Sequence, residues 1–201
     1  MNKEPLNNVR IRLASVDPVP SSPMWDAVTP IYYAQMQSVL KMVGREGTTL
    51  DCFALKGGYA KPSSSWPSLV SELNIVKRVY ELSQKGYDAI IIACMGEGGL
   101  RQARSLVDIP VISTVESSLW IASSIGHKFT IITSGDPGDP VTIKDKVKEY
   151  GMENKLASIR VLPKLPFCAM TPKDKGMLKD LFTEAATKAV KEDGAEAIIV
   201  W

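Results

Sequence analysis

The chain has 201 residues, 45% of them apolar and 23% charged, which is the balance of a globular protein with a sizeable core and excludes a disordered or collagen-like chain. Twenty-four Lys and Arg against 22 Asp and Glu leave a formal net charge of +2 without basic blocks or basic-aromatic clusters, so nucleic-acid binding has no electrostatic support. No apolar run approaches the roughly 18 residues of a membrane helix, and the start, Met1-Asn-Lys-Glu-Pro-Leu-Asn-Asn8, lacks a signal peptide's apolar stretch, which makes a cytoplasmic protein without a membrane partner the expectation.

Short apolar runs alternate with helix-period stretches along the whole chain. A first strand is predicted at Val9–Val16, followed by the turn-rich Asp17–Pro23, in which Asp17 is placed to cap the next element. The next helix is expected between Val28 and Val43, with Thr29 as cap and Pro30 at the first helical position, in preference to a start at Pro23. Strand Thr48–Leu55 and the loop Lys56–Pro67 lead to a helix whose Leu69, Leu73, Val76 and Tyr80 form one stripe, expected to face a sheet. Strand Ala89–Cys94, the glycine-rich Met95–Gly99 and a helical Leu100–Leu106 come next. Strands Val111–Thr114 and Phe129–Thr133, the loop Ser134–Pro140 and strand Ala157–Leu162 follow. Last come a helix with Leu178, Leu181 or Phe182, Ala185 and Ala189 on one face, and a strand at Ala197–Trp201. Strands apolar on both faces and separated by helices indicate an α/β fold with mainly parallel sheets flanked by helices.

Two echoes indicate an internal repeat. Lys85-Gly-Tyr-Asp-Ala-Ile-Ile-Ile-Ala-Cys94 and Asp193-Gly-Ala-Glu-Ala-Ile-Ile-Val-Trp201 share a glycine, an acid, an alanine and an aliphatic strand, 108 residues apart from Gly86 to Gly194. Ala14-Ser-Val-Asp-Pro-Val-Pro20 and Thr133-Ser-Gly-Asp-Pro-Gly-Asp139 share a Ser-x-Asp-Pro turn at a slightly different offset. The expected arrangement is two similar halves across a cleft, residues 1–112 and 113–193, with 194–201 returning to the first sheet. The alternative is that βα units resemble one another because Gly ends helices and Ile and Val fill strands.

The most informative residue is Cys94. It ends an apolar strand and precedes Met95-Gly-Glu-Gly-Gly99 and a helix, so its thiol is expected beside backbone N–H groups and a helix N-terminus, both of which favour thiolate. A nucleophile or base is the functional reading; a buried structural cysteine is the bland one. Cys52 and Cys168 read as packing residues. Three widely spaced Cys and a single His, His127, give neither a disulfide framework nor a metal site. No Walker or dinucleotide glycine motif is present, and Cys94 and Arg101 are one residue too far apart for a phosphatase loop, with Glu97 between them repelling phosphate. Hydroxyls cluster after strands: Ser113 and Thr114, Ser117 and Ser118, Thr133 and Ser134. Capping and turn chemistry explain most of them; Thr133 and Ser134 are retained as candidates for holding a carboxylate or imide. Glu116 reads as a first-turn helix-dipole partner and His127 as a surface residue.

Gly86-Tyr-Asp-Ala-Ile-Ile-Ile-Ala-Cys94, Gly99-Leu-Arg-Gln-Ala-Arg104, Ile109-Pro-Val-Ile112, Glu116, Phe129-Thr-Ile-Ile-Thr133 and Asp193-Gly-Ala-Glu-Ala-Ile-Ile-Val200 together resemble the aspartate/glutamate/hydantoin racemase superfamily, nearest its hydantoin racemase branch. The resemblance implies two pseudo-symmetric α/β domains with a cofactor-independent site in the cleft between them. There, two cysteines flank the α-carbon of a small substrate bearing a carboxylate or imide, one removing its proton and the other returning one from the opposite face. Cys94 matches the first cysteine. The second is expected at the end of the last repeat strand, where the repeat register puts it one position past Trp201, so that the sequence is either cut short or lacks the second base. Asp17-Pro18-Val19 stands where the family has Asn-Pro-Asn, and Met95-Gly96-Glu97 where it has an Asp-rich or Asn-Thr segment. Cys94 is thus the expected catalytic residue, with Asp17, Met95, Gly96, Thr133 and Ser134 as substrate-binding candidates, no cofactor, and a homo-oligomer as the expected assembly. The alternatives are a decarboxylase or cis–trans isomerase of the same superfamily, or a non-catalytic small-anion binding protein.

Overall fold

The computed structural model describes residues 11–20, 23–55, 65–133, 139–163 and 172–201. They divide into two compact units, with the boundary between Thr114 and Val115.

The first unit contains β1 (Ile11–Pro20), α1 (Pro23–Val43), β2 (Thr48–Leu55), α2 (Ser65–Ser83), β3 (Ala89–Ile92), α3 (Leu100–Leu106) and β4 (Val111–Ser113). Its strands form one parallel sheet in the order β2-β1-β3-β4, with Leu13 opposite Ala89 and Ile92 opposite Ser113. Ile90 and Ile92 on β3, Ala14 on β1, Leu55 on β2 and Ile75, Val79 and Leu82 on α2 make its core. The inward face of α2 is therefore not the expected one. Leu69, Leu73 and Tyr80 are exposed, while Ser71, Ile75, Val79 and Leu82 are buried and Val76 lies between the two faces. α2 is apolar on two sides, and helical periodicity alone cannot choose which of two stripes meets the sheet.

The second unit contains α4 (Thr114–Ile125) except for its first residue, which belongs to the first unit, then β5 (Phe129–Thr133), α5 (Asp139–Glu149), a short 3-10 turn (Glu153–Lys155), β6 (Leu156–Val161), α6 (Pro172–Asp193) and β7 (Ala197–Val200). Its sheet is also parallel, in the order β6-β5-β7. All five residues of β5 are buried, as the central strand of a sheet covered on both faces requires. As expected, α6 turns Leu181, Phe182 and Ala185 onto the sheet, against Ile132 and Leu162.

The order β6-β5-β7 repeats β2-β1-β3. Leu13 pairs with Ala89 as Phe129 pairs with Ala197, so β1 corresponds to β5 and β3 to β7. The repeat glycines have equivalent tasks: Gly86 and Gly194 both adopt left-handed φ, 74° and 71°, between helix and strand. After α6 and the left-handed Gly194, the N–H of Ala195 turns back to donate to Ala189 O at 3.1 Å.

Three expectations are corrected by this topology. Residues 197–200 pair with β5 in the second sheet and do not return to the first, because β7 is the repeat partner of β3 and takes β3's place beside its own unit's first strand. α1 begins at Pro23, with Pro30 inside it; an interior proline costs the helix one hydrogen bond and crowds the preceding turn, a local penalty that does not end this helix. Asp17 lies within β1, opposite Ala54 and before an irregularity at Pro20, so it is not at a helix cap.

Candidate functional site

The C-terminal ends of the strands carry the chemistry in open parallel sheets, because helix starts and loop amides gather there. In the first unit that edge holds the turn from Cys94 to Gly99, which leaves β3, and Ser113 and Thr114, which leave β4. Because Ile92 and Ser113 are paired neighbours, the two exits lie side by side.

Cys94 is half-buried and packs against the core of its unit. Its Sγ accepts a hydrogen bond from the backbone N–H of Gly96 at 3.3 Å. An N–H aimed at sulfur favours the charged thiolate over the thiol. Of the two kinds of donor expected from sequence, backbone N–H groups and a helix N-terminus, the one bonded to the sulfur is an amide of the turn. α3 is a seven-residue helix and begins only after Gly99. Gly96 is exposed, and a Cβ there would stand 3.5 Å from the sulfur, so its bareness keeps one side of Cys94 uncovered. Met95, the next residue in the chain, is half-buried.

The turn is fastened on two sides. Towards α2, a Cβ on Gly99 would lie 2.8 Å from Val76 Cγ2 and 3.0 Å from Glu72 O, and Gly99 has φ of 74°, so only glycine fits there without strain. Towards β4, the Glu97 carboxylate accepts a hydrogen bond from Ser113 Oγ. Glu97 is 3% exposed and, unusually for a side-chain-bearing residue, has φ of 55°. Its own N–H donates to Cys94 O at 3.1 Å. Thr114 Oγ1 is buried at the same edge without a hydrogen-bond partner among the described residues. Sequence reasoning gave Glu97 only the role of repelling phosphate, and nothing in the chain's pattern signals that it is buried.

In the second unit Thr133 is fully buried at the end of β5, and its carbonyl accepts from Leu162 N–H at 2.8 Å. By the strand pairing it is the repeat counterpart of Asp17, and not of Ala14, with which the sequence echo aligns it. The Asp17 side chain, Ser134 and Cys168 lie outside the described residues. Trp201 occupies the register position of Ala93, its N–H bonded to Ile132 O at 2.8 Å. Glu116 is in the first turn of α4, as expected. His127 is exposed, and its N–H donates to Glu196. Among the described residues no three His, Cys, Asp or Glu side chains gather as metal ligands, and no helix is long and apolar enough to cross a membrane. A cavity of about 440 Å³ between Gln37 and Asp51 borders the N-terminal half of β2, the opposite end of the strand from the one level with the Cys94 turn.

Residues 27–200 match the family model described as Asp/Glu/Hydantoin racemase. A hydantoin racemase of Pseudomonas sp. (strain NS671) is 28% identical over 165 residues, 82% of this chain, and the chain spans only 65% of that relative's length. A hydantoin racemase of Paenarthrobacter aurescens is 28% identical over 191 residues, covering 94% of this chain and 76% of the relative. Among solved structures, the allantoin racemase from Klebsiella pneumoniae superposes with a TM-score of 0.79 at 22% identity, covering 94% of this chain and 73% of that one. At that identity the superposition speaks for the fold.

Proposed function

The chain belongs to the Asp/Glu/hydantoin racemase family, and from that premise we propose that it is a racemase of hydantoin-like substrates in which Cys94 moves the proton. The hydrogen bond from Gly96 N–H to Cys94 Sγ, in a turn at the end of β3 that leaves Gly96 exposed, carries the reading.

A hydrogen on a ring carbon next to a carbonyl is weakly acidic, and its removal needs a base close to one face of that carbon. Cys94 as thiolate takes the proton. The C–H bond breaks, an S–H bond forms, and the electron pair passes to the carbonyl oxygen as an enolate. A second proton carrier on the opposite face returns a proton to the planar carbon, inverting it. Amides and hydroxyls aimed at the enolate oxygen stabilise it as charge develops. Thr114 Oγ1 and the turn amides near Cys94 are the groups that suit this task, and Asp17, Met95, Thr133 and Ser134 remain the other proposed substrate contacts. This sequence of steps requires no cofactor. The substrate is a small molecule with an imide or carboxylate, and the working form is proposed to be a homo-oligomer in the cytoplasm.

The test is incubation of each enantiomer of a 5-substituted hydantoin, and separately of allantoin, with the protein in deuterated water. Loss of optical rotation together with deuterium at the ring carbon, faster than without protein, is expected. No exchange above the protein-free rate would overturn the reading. Release of carbon dioxide from a malonate-like acid, without racemisation, would move the chain to the decarboxylase alternative.

A further inference from the structure

Glu97 sits where a glycine would be the easier choice. It lies between Gly96 and Gly98, with φ of 55°, a conformation that glycine adopts without steric cost and glutamate does not. It is also 3% exposed, and a carboxylate is seldom buried unless partners hold it. The chain's course through this turn requires neither the carboxylate nor its burial, so what the side chain holds is the reason to look for.

It holds Ser113. The hydroxyl of Ser113 donates to the Glu97 carboxylate, and Ser113 is the last residue of β4, opposite Ile92 of β3. At its other end Glu97 is tied to Cys94, its N–H donating to Cys94 O at 3.1 Å. Between these attachments lies Gly96, whose N–H meets Cys94 Sγ. A turn of three glycines would otherwise have many conformations open to it.

We propose that Glu97 is a positioning residue for Cys94: anchored on Ser113, its carboxylate holds the 94–99 turn in the one conformation that keeps Gly96 N–H on the sulfur. This rests on the reading of Cys94 as proton carrier. The link acts through the acceptor oxygen, so a glutamine, whose amide oxygen still accepts from Ser113, preserves it. A glycine removes it while relieving the backbone.

The test compares Glu97→Gly, Glu97→Gln and Ser113→Ala with the unaltered protein. Iodoacetamide alkylation of Cys94 is followed by peptide mapping from pH 5.5 to 9.5, and kcat and KM are measured on the hydantoin turned over by the unaltered protein. Glu97→Gly and Ser113→Ala are expected to move the alkylation midpoint upward, towards the roughly 8.5 of an ordinary thiol, and to lower kcat about tenfold with KM changed less than threefold. Glu97→Gln is expected to keep the original midpoint. Ser113→Ala reads the same link from its other end should either Glu97 variant misfold. An unmoved midpoint in folded Glu97→Gly and Ser113→Ala, with Cys94→Ser inactive, overturns the positioning role alone. So does a glutamine variant as impaired as the glycine one. Full activity of Cys94→Ser overturns the role of Cys94 and the positioning role with it.

Discussion

Gly96 N–H points at Cys94 Sγ, 3.3 Å away and two residues along the chain, within a turn that leaves the glycine exposed. The donor and the bare approach to the sulfur come from the same residue, and this makes the thiol's reactivity the first quantity to measure. Cys94 is expected to react with iodoacetamide near neutral pH several-fold faster than Cys52, which lies inside β2, and faster than Cys168. Peptide mapping after brief labelling gives the order, and a hydantoin that is turned over should protect Cys94 selectively. Slower labelling at Cys94 than at Cys52 would contradict an activated thiolate.

Gly96→Ala separates access from folding. The added methyl would sit 3.5 Å from Sγ, an ordinary contact, and Gly96 has no positive φ to forbid it. Stability should change by about 0.5 kcal/mol or less, the usual range for an exposed site. Turnover should fall about tenfold or more because the methyl stands on the open side of the sulfur. Urea denaturation and steady-state kinetics on the same preparation check both halves.

Gly99→Ala makes the opposite prediction. A Cβ there meets Val76 Cγ2 at 2.8 Å and backbone Glu72 O at 3.0 Å, and the left-handed φ of 74° adds its own strain. A destabilisation of roughly 1–3 kcal/mol is expected, read as a lower urea midpoint of the first unit.

Much of this arrangement was legible in the chain itself. The repeat from Gly86 and Gly194 shows in the sequence because both glycines perform one backbone task and both following strands are aliphatic, and the sheet orders reproduce it. Cys94 stood out because it ends a strand before a run of glycines. The sheet to which residues 197–200 belong was not legible, since strand pairing is a long-range choice that local composition leaves open. Nor was the face of α2, where two apolar stripes compete and only contact with β1 and β3 decides for Ile75, Val79 and Leu82. Glu97 was missed for a similar reason: an acid among glycines reads as solvated turn, and its burial depends on Ser113, 16 residues away.

A pH-dependent contribution to stability is expected at the far end of α6. Asp193 accepts from Arg160 Nε at 2.7 Å and Arg160 Nη2 at 2.9 Å, and from Ser158 Oγ at 2.5 Å. The hydrogen bonds from Arg160 first, and then from Ser158, hold its carboxyl below the usual aspartate range. A depressed carboxylate stabilises the fold above the unfolded-state value of about 3.9, and the effect is lost as the pH falls below it through the folded-state value. Asp193→Asn should therefore lower the denaturation midpoint of the second unit more at pH 7 than near pH 2. Equal losses at both pH values would mean that packing, not charge, is what Asp193 contributes.

The most direct test of the account is Cys94→Ser, which nearly preserves volume while replacing a thiol of pKa about 8.5 by a hydroxyl scarcely ionised at neutral pH. Each enantiomer of the hydantoin that the unaltered protein racemises is offered in deuterated water, and both optical rotation and deuterium at the ring carbon are followed. The account predicts a folded protein that no longer interconverts the enantiomers in either direction, with deuterium exchange surviving at most for the enantiomer whose proton faces the other carrier. Racemisation by Cys94→Ser at the rate of the unaltered protein would contradict it.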